Sequence, residues 1–226
     1  MSAENPKPEW AEAVIRVGDG RGFVVGTDRE RFVITAGHCL PELPPFDGAS
    51  SYTEERTFDA LLGPIGEEPK VSAECKFADP IADLAILGSP DSQHLAEQAR
   101  AYEAMVEGRA ALTIDAVPRL PNRFPDWQGR GWLLSLAGDW FDCELQVIGN
   151  RCLWIENAAQ AIVDGMSGSP IIIDDGRAIG IVCISSSIDE HRSGGPNPYL
   201  AGALPAWAFS ELVLEPAVRK EMHRTR

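Results

Sequence analysis

Three residues of this chain could together carry out nucleophilic chemistry: Ser167, His38 and Asp83. A serine hydroxyl is a weak nucleophile until an imidazole takes its proton, and the imidazole works best when a carboxylate fixes its tautomer and orientation. Ser167 lies in Gly165-Met166-Ser167-Gly168-Ser169-Pro170, His38 closes Thr35-Ala36-Gly37-His38-Cys39, and Asp83 opens Asp83-Leu84-Ala85-Ile86-Leu87. Asp79 and Asp91 are rival carboxylates, although Asp79 precedes Pro80 and reads as a turn former. His94, His191 and His223 stand in polar or terminal surroundings and read as surface residues.

Set side by side, these segments resemble the trypsin-like serine proteases of the chymotrypsin fold, whose motifs run T-A-[AG]-H-C, D-[IL]-A-[LIV]-L and G-x-S-G-[GS]-P. The order His, Asp, Ser along the chain is also that family's; α/β-hydrolases run Ser, acid, His, and subtilisins run Asp, His, Ser. The resemblance spans most of the chain and favours Asp83, because the apolar strand after it matches the one that buries the orienting carboxylate in the family. It implies an all-β fold of two six-stranded antiparallel β-barrels with a short C-terminal helix. Residues 1–118 would form the barrel carrying His38 and Asp83, and residues 119–226 the barrel carrying Ser167, together one peptidase unit of bacterial type.

The resemblance further implies a serine endopeptidase that hydrolyses protein or peptide substrates through an acyl-enzyme, with His38, Asp83 and Ser167 catalytic. The backbone N–H groups of Gly165 and Ser167 would form the oxyanion hole, where each donor is worth about 3–4 kcal/mol. Ser169 replaces the second Gly of the vertebrate pattern, as in bacterial glutamyl endopeptidases. Met166 stands where vertebrate-type zymogens carry an Asp that pairs with a freed amino terminus, so activity or its regulation is expected to follow another route. A specificity pocket is expected around Ala161, Ile162 and Asp164 before the serine and Cys183, Ile184 and Ser185 after it. Ala161 falls where Arg/Lys cleavers hold a buried Asp, and Val182 where glutamyl endopeptidases hold a His. A small or apolar pocket is therefore expected, with Asp164 still within reach of a basic side chain.

A net charge of −14 on 226 residues disfavours nucleic acid, whose phosphates need clustered Lys and Arg. It leaves open a basic protein substrate or simply a solvated acidic surface. The basic tail after Arg219 follows an apparent helix, where cations offset the helix dipole. Hydrophobic residues make up 44% of the chain, ample for a packed core. Five cysteines, Cys39, Cys75, Cys143, Cys152 and Cys183, include no C-x-x-C pair and no His at zinc-ligand spacing, so neither metal nor cofactor is expected. Secreted members of the family bridge the Cys after the catalytic His to one about fifteen residues upstream; that region here is Arg21-Gly22-Phe23-Val24-Val25. The cysteines read instead as small buried hydrophobes in a reducing cytoplasm. The first nine residues lack the basic start and apolar run of a secretory signal, and no apolar run could span a bilayer, so a cytoplasmic protein without a membrane partner is expected.

The elements follow from alternation and turn residues. Ala13–Val17, Gly22–Gly26 and Arg31–Thr35 read as strands, the last delivering His38 past its end. Val71–Phe77 and Leu84–Leu87 follow, with Ala78–Ala82 as the loop that sets Asp83 at a strand mouth. Arg119–Trp127, with its prolines, reads as the connection between barrels. Trp132–Leu136, Cys143–Ile148, Cys152–Glu156, Pro170–Ile173 and Ala178–Ile184 read as strands of the second half, and Pro205–Leu214 as a helix. Two functions remain open: an endopeptidase, alone or under a regulatory partner protein, and a protein-interaction module that keeps the fold and has lost turnover.

Overall fold

The computed structural model describes residues 6–26, 30–44, 53–118, 123–183, 192–205 and 208. Strands β1 (Val14–Val17), β2 (Gly20–Gly26), β3 (Arg31–Ala36), β4 (Thr57–Gly63), β5 (Val71–Asp79) and β6 (Leu84–Gly88) close into an antiparallel barrel in the order β1-β2-β3-β6-β5-β4. Pairing of Val17 with Leu62 joins β1 back to β4. Val17, Phe23, Val33, Ile34, Leu62, Leu84 and Ile86 are fully buried in its core.

Helix α1 (Ala96–Glu107) lies over β5 and β3. Only Tyr102 and Val106 of α1 are buried, so its apolar stripe is too narrow to stand out in the sequence, which gave no helix there. The Arg31 guanidinium donates to Val106 O at 2.8 Å, adding a second kind of donor to a carbonyl at the helix end that also accepts the Arg109 N–H at 3.3 Å. Strand β4 is also absent from the sequence reading. Ala60 adopts φ +50° and the β4–β5 register shifts between Phe58 and Leu62, so the alternation is broken mid-strand.

The second half contains β7 (Trp127–Leu134), β8 (Trp140–Ile148), β9 (Cys152–Glu156), β10 (Pro170–Ile172), β11 (Ala178–Ile181) and β12 (Gly194–Pro198) in one sheet, ordered β11-β10-β7-β8-β9-β12. Strand number and direction match the two six-stranded antiparallel barrels that the resemblance implies. The second is a half-barrel, however: among the described residues its two edges meet only through a bridge between Gly180 and Tyr199. Leu133, Leu145, Leu153, Ile155, Ile171 and Ile179 fill it.

Between the halves, residues 112–117 act as a seam. Leu112 N–H donates to Val24 O at 2.9 Å, Ala178 N–H to Thr113 O at 2.8 Å, and Val117 N–H to the Tyr199 hydroxyl at 2.9 Å. A short helix α2 (Leu200–Ala203) follows β12. The expected helix Pro205–Leu214, apart from Pro205 and Ala208, the basic tail, His191, and the pocket residues Ile184 and Ser185 lie outside the described residues. Among the described residues no helix is long and apolar enough to cross a membrane.

Candidate active site

Register between β3 and β6 sets the first half of the site. Ala36 lies opposite Leu84, so the residues just beyond that pair, Gly37-His38 on one strand and Asp83 on the other, leave the barrel side by side. A single turn of 3₁₀ helix, Gly37–Cys39, then lifts His38 out of the strand. Gly37 N–H donates to Asp83 O at 3.1 Å, and a Cβ on Gly37 would come within 3.1 Å of Asp83 Oδ1. Asp79 does form a turn: its Oδ1 accepts the N–H groups of Ile81 and Ala82 at 2.9 and 3.0 Å. That turn hands the chain to Asp83, which adopts the left-handed φ of +54° that short polar side chains tolerate best.

Asp83 grips His38 at two points. Its Oδ1 accepts the His38 backbone N–H at 2.9 Å, and its Oδ2 lies 2.6 Å from His38 Nδ1. With Nδ1 facing a carboxylate, the neutral ring carries its proton there and keeps the lone pair on Nε2. The ring is half exposed and so open to a reactant. On the far side, the Cys183 thiol donates to Asp83 O at 3.4 Å, tying the second half to the pair.

Ser167 sits on two consecutive β-turns. Met166 N–H donates to Val163 O at 3.2 Å and Ser169 N–H to Met166 O at 2.9 Å. The third residues of these turns, Gly165 at φ +86° and Gly168 at φ +81°, supply the positive angle of a type II turn. Clamps on both sides hold the second turn: Arg21 N–H from β2 donates to Ser167 O at 2.7 Å, and Gly168 N–H donates to Val182 O at 2.7 Å. There is no space for a side chain at 168, since a Cβ would stand 1.7 Å from Arg21 O. Among the described residues, the N–H groups of Gly165 and Ser167 have no backbone partner, while those of Met166 and Gly168 are used internally. Nor does the Ser167 hydroxyl hydrogen-bond to the His38 ring.

The remaining expected residues fall as follows. Ala161 and Asp164 are exposed beside the serine turns, whereas Ile162 is buried in the second core and Cys183 faces Asp83. Met166 is buried too, with its sulfur accepting the Val163 N–H at 3.4 Å. All five cysteines are free thiols. The residue facing Cys39 is Gly20, one place before the region where the sequence would put a bridging partner; a Cβ there would be 2.5 Å from Cys39 Sγ. Burial pushes the Cys39, Cys143 and Cys183 thiols up from the ordinary value, and Cys75 up to about 11.

No family model matches the chain, and no curated protein matches it. Among solved structures, the chain is similar to the active form of the Rv3671c protease from M. tuberculosis, at 17% identity over 95% of this chain and 87% of that one, with a TM-score of 0.50. A Sesbania mosaic virus structure, described for the coupled folding and binding of the VPg protein, matches at 15% identity over 86% and 90%, with a TM-score of 0.51. The serine protease of human pathogenic astrovirus matches at 14% identity over 96% and 98%, with a TM-score of 0.48. The likeness is one of fold: the chain has the chymotrypsin-like two-barrel fold.

Proposed function

We propose that this chain is a serine endopeptidase in which Ser167 is the nucleophile, His38 the general base and Asp83 the group that orients it. The observation that carries the reading is the two-point hold of Asp83 on His38, which leaves Nε2 as the basic nitrogen. In the forward step the Ser167 hydroxyl attacks the scissile carbonyl and gives its proton to Nε2, and the Gly165 and Ser167 N–H groups, without a backbone partner among the described residues, receive the developing oxyanion. His38 then protonates the leaving amine, and water hydrolyses the acyl-enzyme by the same route. Residues 1–118 contribute the base and its orienter and residues 119–226 the nucleophile, within one peptidase unit. No cofactor enters this scheme. The substrate is a protein or peptide with a small or apolar side chain before the cut, and the five free thiols suit a bacterial cytoplasm.

A second reading, a catalytically silent interaction module, is favoured by one observation: the hydroxyl of Ser167 makes no hydrogen bond to His38. Catalytic hydrogen bonds are often long before substrate binds and tighten in the complex, so the first reading is preferred. Hydrolysis of a peptide library by the wild type, Ser167→Ala and His38→Ala separates the two. The endopeptidase loses turnover by several orders of magnitude in each variant while its fold is kept. A wild type as inert as its variants indicates the module.

A further inference from the structure

One buried residue grips the serine turns with its main chain and the hairpin behind them with its charge. Arg21 is 4% exposed, and its side chain crosses from β2 into the second half, where Nη1 donates to Leu134 O and Ser135 O at 3.0 Å each. Its own N–H holds Ser167 O at 2.7 Å, and its carbonyl accepts the Thr35 hydroxyl at 2.6 Å. A buried guanidinium is costly to desolvate, and burial pushes its pKa below the usual arginine value. Among the described residues its guanidinium bonds go to main-chain carbonyls, so this charge orients backbone.

The backbone it orients reaches the oxyanion turn. Ser135 organises the β7–β8 hairpin: its N–H donates to Asp139 O at 2.9 Å, its carbonyl accepts Gly138 N–H at 3.1 Å, and its hydroxyl accepts Asp139 N–H at 3.1 Å. Leu136 sits at the tip, half exposed, with Cδ2 only 3.6 Å from where a Cβ on Gly165 would stand. That turn carries the Gly165 N–H and leads directly into the one carrying the Ser167 N–H, the two groups without a backbone partner among the described residues.

We propose that Arg21 is a positioning residue for the acyl transfer described above: its guanidinium locks the Leu134–Asp139 hairpin, Leu136 then props the Gly165 turn, and the Gly165 and Ser167 N–H groups stay aimed at the oxyanion. The inference rests on the endopeptidase reading of Ser167. Arg21→Met removes the fork but keeps the backbone N–H to Ser167, so it isolates the side-chain arm.

The test compares Arg21→Met, Arg21→Lys, Leu136→Ala and the double variant Arg21→Met/Leu136→Ala in full-length protein. Turnover of a peptide ester and backbone amide exchange are read together. We expect kcat to fall roughly 10- to 100-fold in Arg21→Met with KM within about twofold, partial recovery in Arg21→Lys, and a double variant no slower than Arg21→Met alone. A loss confined to KM, or losses that multiply in the double variant, would overturn the proposal. Amide exchange at Gly138, Asp139 and Met166 should quicken at least about tenfold in Arg21→Met with β3 amides unchanged. This arm judges the positioning role even if the wild type is inert, an outcome that sinks the endopeptidase reading by itself. Unchanged exchange at those three amides overturns the positioning role. If Arg21→Met does not fold, Arg21→Lys and Leu136→Ala carry the same comparison.

Discussion

Asp83 holds His38 by ring and by backbone at once, at 2.6 Å to Nδ1 and 2.9 Å to the main-chain N–H. A carboxylate can accept both bonds, whereas an amide must offer its NH₂ to one of them. Asp83→Asn therefore either loses the backbone bond or drives the Nδ1 proton to Nε2, where it blocks the base. Turnover should fall by about 10⁴-fold, as in the analogous substitution of other triads, with little change in melting temperature. Wild-type kcat in the folded variant would show that His38 does not act through Asp83.

Gly165 and Gly168 share a positive φ but not their surroundings. A Cβ at 168 meets Arg21 O at 1.7 Å, while at 165 it meets only Leu136 at 3.6 Å. Gly165→Ala should cost about 1–2 kcal/mol of stability, the price of a left-handed non-glycine residue. Gly168→Ala carries that cost and a backbone clash, so its loss should be clearly larger. Chemical denaturation of both variants checks the order; equal losses would mean that the clamp on Ser167 gives way freely.

The segments carrying His38, Asp83 and Ser167 stand out in the sequence because each is a local motif, and the β3–β6 register brings the first two together. What escaped the sequence is non-local. Arg21 acts on carbonyls 113 and 114 positions away, and nothing in Gly20-Arg21-Gly22 announces it. Strand β4 hid behind the left-handed Ala60, α1 behind a stripe of two buried residues, and Ile162, expected near the specificity pocket, belongs to the core. Cys183 was expected near the same pocket; its contact with Asp83 crosses the interface between the halves.

Thiol reactivity should be uneven. Cys39, Cys75, Cys143 and Cys183 are buried with raised pKa values, and only Cys152 is partly exposed. Iodoacetamide at neutral pH should modify one thiol quickly in the native protein and all five in denaturant, as counted by mass. The raised values also set an alkaline limit. Native Cys75 keeps its proton between the unfolded value of 9.0 and about 11, so stability falls as pH climbs through that window, by about 1.4 kcal/mol per pH unit per thiol. A denaturation midpoint that is flat from pH 8.5 to 10.5 would contradict this.

Met166 is buried, and the resemblance sets it where a zymogen-type enzyme has its Asp; on that reading a freed amino terminus would find no carboxylate there. An unpaired ammonium placed there would cost several kcal/mol. Protein carrying a stable extension ahead of Met1 should therefore react with a fluorophosphonate as fast as the unextended chain. Reaction only after N-terminal processing would show that another acid, such as Asp164, takes that role.

Whether Ser167 is an activated nucleophile is read by fluorophosphonate labelling followed by peptide mapping. A single adduct is expected, on Ser167, absent in Ser167→Ala and slowed by orders of magnitude in His38→Ala. No adduct on the folded wild type, or one that forms equally fast without His38, would contradict it.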